Sequence, residues 1–283
     1  MLRYLVYQKD YQLFINTKNV SVKKLSVLPL CYVYSRACKP IAINMVFKRI
    51  TLLLTLLIAF VGVNYSQAQI LIPKEFVETP IPAVDGKEWY KLNYSRNEFG
   101  VSITNGQLDI KKVNETYKTE LKVSSGTVIG INRGEWGGQL TFNPSNPAKK
   151  AMVIKEGNIK FIFKFQNKIY FIEGLAHGTY SGGAMFELKI AGSKFTFNKL
   201  LDFDDAPEAF TIYKNMLLLA THQNFYIIND LKIELVLKET FWNSLYPNSI
   251  AAFDDKNIFI GMRSGIVKLD LTDKGLTFYQ YKE

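Results

Sequence analysis

Two stretches near the end of the chain repeat one another, and no other feature limits the fold as strongly. The run from Pro207 to Asn229 aligns with the run from Pro247 to Asp270 once a single residue is inserted in the second. Leu217-Leu218-Leu219-Ala220 then falls on Ile258-Phe259-Ile260-Gly261, and Asn224-Phe225-Tyr226 falls on Gly265-Ile266-Val267. A unit of about 40 residues built from short apolar strands and tight turns is the mark of a repeat architecture, in which copies cover each other's apolar faces.

Weaker copies lie upstream. Phe165-Gln166-Asn167-Lys168-Ile169 resembles Tyr213-Lys214-Asn215-Met216-Leu217 as a turn leading into an apolar strand, and Gly106-Gln107-Leu108 matches Gly138-Gln139-Leu140. With the turn before each third strand as a marker, Gly106, Gly138, Gly183, Asn224 and Gly265 follow at intervals of 32, 45, 41 and 41 residues. Runs rich in β-branched and aromatic residues predict strands at Glu88–Tyr94, Phe99–Thr104, Gln107–Val113, Thr127–Ile131 and Gln139–Phe142. The later unit reads as strands Phe210–Tyr213, Met216–Thr221, Phe225–Ile228 and Lys232–Lys238. A 3.6-residue apolar stripe is not sustained over three turns anywhere, so no helix is predicted.

In repeat length and strand order, residues 88–283 resemble the β-propeller group, although the Trp-Asp and kelch glycine signatures do not recur in register. The resemblance implies an all-β disc of four-stranded antiparallel blades, five of them at about 43 residues per unit, in which each blade covers its neighbours. Four blades with a cap, six blades, or a separate small β-domain over the first two units are the alternatives that the spacing leaves open. A closed ring leaves no apolar face exposed, and a monomer is expected.

The net charge of +10 suggests a polyanionic partner until it is located. Residues 1–68 carry nine basic side chains and one acidic, which leaves 26 basic against 24 acidic in residues 69–283. The folded part thus gives no case for nucleic-acid binding. Both cysteines, Cys31 and Cys38, also lie in the leader, so the body has no disulfide, cysteine metal site or thiol nucleophile.

From Met45 the chain reads as a bacterial secretory signal peptide. Lys48-Arg49 precede a 14-residue apolar run, Ile50 to Val63, and Ser66 and Ala68 are the small residues of a cleavage site after Ala68. The run is shorter than a comfortable membrane span, so none is expected after cleavage. Residues 1–44 are expected to be an over-extended start, 45–68 the signal peptide, 69–87 an extended proline-rich lead-in limited to coil or an edge strand, and 88–283 the β-domain. The expected location is the periplasm or the medium.

In such a disc the turns between second and third strands share a face with the crossovers between blades, and in the proteins that this one resembles ligands meet that face. The turns bring Arg133, Glu135 and Trp136; His177 and Tyr180; His222; and Arg263, while a crossover brings Trp242. Both histidines of the body and two of its three tryptophans gather there. Each has a plainer role too: an imidazole can tie down a glycine-rich loop, and an indole can cap a core. The doubled aspartates Asp204-Asp205 and Asp254-Asp255 read as turn chemistry, and Glu135 with Asp204 or Asp205 is the one acid pairing entertained. Hydrolase elbows, zinc-helix motifs, P-loops and dinucleotide fingerprints are missing. The expectation is a binding or interaction protein for a glycan or protein, with no metal and no cofactor. The alternative is a carbohydrate-active hydrolase or lyase using the same face.

Overall fold

The computed structural model describes residues 70–114 and 116–282; the expectations for the upstream extension and the signal peptide fall outside them. The described residues form an all-β structure of antiparallel sheets in chain order. First comes a hairpin, β2 (Phe99–Thr104) and β3 (Gln107–Lys112). A four-stranded sheet follows: β4 (Lys118–Val123), β5 (Gly126–Asn132), β6 (Gly138–Pro144) and β7 (Met152–Glu156). The third holds β8 (Ile159–Phe165), β9 (Lys168–His177), β10 (Tyr180–Ala191) and β11 (Lys194–Phe203), and the fourth β12 (Pro207–Tyr213), β13 (Met216–Thr221), β14 (Phe225–Asn229) and β15 (Lys232–Leu237). In the last sheet, β16 (Ser249–Asp254), β17 (Asn257–Met262), β18 (Gly265–Asp270) and β19 (Gly275–Tyr281) are joined by β1 (Phe76–Thr79), which pairs antiparallel with β19.

Strands buried on both sides explain the apolar runs of the repeat. In β13, Leu217 and Leu219 pack toward the third sheet with Ile172 and Met185, while Leu218 and Ala220 pack toward the last sheet with Ile258 and Ile260. In β17 the next residue, Phe259, turns the other way, onto Phe99 and Val101 of the hairpin. The second and third sheets meet through Val128, Leu140, Phe171 and Phe186. Alternate side chains therefore serve alternate interfaces, which requires apolar residues at every position rather than every second one. Each fully buried Leu, Ile or Phe contributes about 1.5–3 kcal/mol relative to exposure. This face-to-face order is compatible with a propeller-like arrangement.

Two local readings need correction. The predicted strand Glu88–Tyr94 is a helix, α1 (Lys87–Asn93), in which Trp89 and Leu92, three residues apart, point into the core. The Trp89 indole N–H donates to the Phe241 carbonyl at 2.8 Å. A seven-residue helix with two buried side chains is too short to show a stripe. Gly183, read as a turn marker, lies inside β10 opposite Gly174 of β9. A Cβ on either would stand within 2.7 Å of the Pro207 ring, so this glycine pair lets the first strand of the next sheet approach closely. Ahead of the helix, Phe76–Thr79 form β1, an edge strand between turns and followed directly by Pro80. No described helix is long and apolar enough to cross a membrane.

Candidate functional site

The first strands of the sheets converge on one cavity of about 640 Å³. Its wall takes Gly100 from β2, Lys118 and Thr119 from β4, Lys160 from β8, Glu208 from β12 and Ser249 from β16. The turns between second and third strands add Gly134 and Arg263, and the crossovers add Asn114, Tyr246 and Asn248. Backbone bonds hold turns and crossovers together: His222 N–H donates to Ala206 O at 2.9 Å, and Arg263 N–H to Leu245 O at 2.8 Å.

Two backbone irregularities create the central contact. The register of β8 slips between Ile159 and Phe161, and that of β12 between Pro207 and Ala209. The residue left over in each is Lys160 or Glu208. A bulge re-aims its extra side chain, and here the two meet, with Lys160 Nζ 2.5 Å from Glu208 Oε2. Burial pushes the Glu208 carboxyl above the usual carboxylate range, opposed by the charge and hydrogen bond of Lys160 and by His222, and aided by Asp205. His222 Nδ1 lies 4.0 Å from the other Glu208 oxygen, buried and without a hydrogen-bond partner. Its ring sits edge-on to Tyr246, with centroids 6.0 Å apart.

Arg263 acts as a brace in the cavity wall. Its guanidinium donates to Glu98 Oε1 at 2.9 Å and to the Asn93 carbonyl at 2.9 Å, and lies 4.5 Å from the Tyr246 ring centroid. Planar geometry suits this combination of forked hydrogen bonding and stacking.

A second group sits on the β5–β6 and β9–β10 turns. Glu135 and Trp136 belong to a 3-10 turn, Gly134–Trp136. Asn158 pins it by donating to Gly134 O at 2.8 Å, and Arg133 N–H bonds Gly137 O at 2.9 Å. Glu135 Oε2 faces His177 Nε2 at 3.3 Å. Trp136 is 78% exposed and Tyr180 59%, while the Arg133 side chain lies in solvent.

The sequence-predicted residues thus divide. Glu135 and His177 touch, and Arg133, Trp136 and Tyr180 stand on the same two turns, whereas Arg263 belongs to the cavity wall and His222 reaches that wall only through Glu208 and Tyr246. Trp242 is a core residue, contrary to the expectation that it lines the loop face: it is fully buried between the last two sheets, and its indole N–H donates to Thr221 O at 3.3 Å. Asp205 is also removed from any acid pairing. It is 1% exposed and accepts from Ser181 Oγ, Thr221 Oγ1, Gln223 N and Asn224 Nδ2. Asp254 accepts from Lys256 N at 2.8 Å within its own turn, as the turn reading required.

Sequence reasoning missed Lys160, Glu208, Glu98 and Asn248. One signal was available, since the aligned repeats place Glu208 opposite Asn248 and both line the cavity. No protein-family model matches the chain, and no curated protein matches it. Fold and site together define a class only: an all-β protein of stacked antiparallel sheets with a polar, charge-paired cavity on its loop face.

Proposed function

We propose that the described residues form a five-bladed β-propeller, and that the protein is an exported bacterial binding protein whose ligand, a glycan or a protein segment, enters the cavity from the loop face. The observation that carries this is the convergence of first strands from all five sheets on one cavity, whose wall includes Gly134, on the turn that bears Trp136, and Ala176, beside His177. β1 on the outer edge of the last sheet ties the start of the β-domain to its end, as ring closure requires, and covers an edge that would otherwise be open. A footprint by hydrogen exchange tests the binding reading: a bound ligand should protect residues 132–138, 176–180 and 246–249. Protection confined to the opposite turns, such as 213–216 and 254–257, would refute it. Secretion is tested by the mass of the exported protein, expected to begin at Gln69.

One observation favours a second reading, a carbohydrate-active hydrolase or lyase. Glu208 is a buried carboxyl held above its ordinary range at a cavity wall, the direction in which general acids are tuned. Glu208→Gln separates the two. A binding protein changes affinity in a graded way, while an enzyme loses turnover by about 100-fold or more with affinity partly kept.

A further inference from the structure

We infer that the cavity is a subsite for a neutral, polyhydroxylated ligand, a short saccharide without carboxylate, sulfate or amine, hydrogen-bonded at Asn248 and Thr119 and stacked on Trp136 at the mouth. The inference rests on the binding reading above and gives it a ligand class.

The charges of the wall point to neutrality. Lys160 is paired with Glu208, Arg263 with Glu98, and Lys118 with Glu120. The first two pairs join separate segments of the chain and so brace the wall, whereas Lys118 and Glu120 are neighbours on β4 and both are exposed. At the two partly buried pairs an ionic ligand would have to displace one partner and leave the other desolvated, which low-dielectric surroundings penalise. What the wall still offers is amide and hydroxyl capacity. Asn248 Oδ1 accepts from Ser249 Oγ at 2.8 Å, while its Nδ2 is buried without a partner, a donor left unmet in a polar wall. Hydroxyl groups, which donate and accept, suit such a wall better than a group of fixed charge.

Shape agrees with this chemistry. A volume near 640 Å³ lies in the range of small-ligand pockets and suits a short oligosaccharide. Trp136 stands almost fully exposed on a turn that is pinned at Gly134, itself part of the wall. The pinned turn fixes the backbone that carries this indole, and an indole face in water matches the flat apolar face of a sugar ring.

The test is calorimetric titration of the full chain with cellotetraose, maltotetraose, mannotetraose and xylotetraose, beside tetragalacturonate and a chitosan tetramer, at 50 and 500 mM NaCl. At least one neutral tetrasaccharide should bind, with Kd unchanged within twofold across salt, because screening acts on charges. Asn248→Ala and Trp136→Ala should each weaken it about tenfold or more, with thermal unfolding confirming that both variants fold. Tighter binding of tetragalacturonate or the chitosan tetramer, falling with salt, overturns the neutral assignment and leaves the binding reading intact. Neutral binding that neither variant alters overturns the site. If no probe binds at millimolar concentration, the saccharide class is wrong, and the footprint experiment alone decides whether the loop face binds anything.

Discussion

Replacing Asp205 by Ala should cost about 4 kcal/mol of folding stability, although its neighbour Asp204 should be dispensable. Asp205 gathers three segments of chain. Its carboxylate accepts from Ser181 Oγ on β10 at 2.6 Å, from Gln223 N at 2.8 Å and Asn224 Nδ2 at 3.1 Å in the β13–β14 turn, and from Thr221 Oγ1. Hydrogen bonds to a charged group are worth about 1.5–3 kcal/mol each net, but only where no water replaces them. Thr221 and Asn224 are buried, and we assign them about 1.5 kcal/mol apiece. The Thr221 hydroxyl has a fallback in the Asn224 carbonyl at 3.1 Å, so the low end of the range applies. Ser181 and Gln223 are partly exposed and should recover all but about 0.5 kcal/mol each through water. Urea unfolding reads the result. At a slope near 2 kcal/mol/M the midpoint should fall by about 2 M with the slope unchanged. Asp204 is exposed, and Asp204→Ala should stay within about 0.5 kcal/mol of wild type. A loss below about 1 kcal/mol for Asp205→Ala, or equal losses for the two aspartates, would refute the assignment of Asp205 as the junction of these segments.

Two further outcomes follow from burial. Trp242→Ala should lose about 3–5 kcal/mol and Trp136→Ala almost nothing, measured by the same unfolding assay, because one indole fills the core and the other stands in solvent. For Glu208 the sign runs opposite to an ordinary paired carboxylate: its native carboxyl holds a proton to higher pH than the unfolded chain does, so it subtracts stability as pH rises from the ordinary glutamate range, about 4.3, through its raised native value. In Glu208→Gln that contribution vanishes, so the stability of wild type minus variant should decline with pH across this window; a difference that is flat or rises would show that Lys160 outweighs burial.

How much was legible depended on whether local sequence or long-range packing made the decision. β13 was read at its observed limits, Met216–Thr221, because burial on both faces writes itself as an unbroken apolar run. β4 was passed over for the converse reason: Lys118, Glu120 and Lys122 alternate with half-buried partners, and a strand covered on one side only resembles a polar loop. The loop face could be read because turn residues locate turns, and turns at one end of a hairpin stack must share a side. Trp242 was misassigned because its crossover folds back between two sheets, a tertiary event that no local pattern signals. The Lys160–Glu208 contact lay furthest from view. Counting by twos along β8 or β12 assigns each residue to one face or the other, and a charged side chain at either position reads as a solvent-facing member of the alternation. A one-residue bulge breaks that count, and the one in β12 starts at Pro207, whose ring occupies the space left by Gly174 and Gly183. Gly183, misread as a turn marker, therefore lets β12 come close beside β9 at the residue just before the bulge, and the ion pair needs a second bulge, in β8, that the pattern of that strand hides equally well.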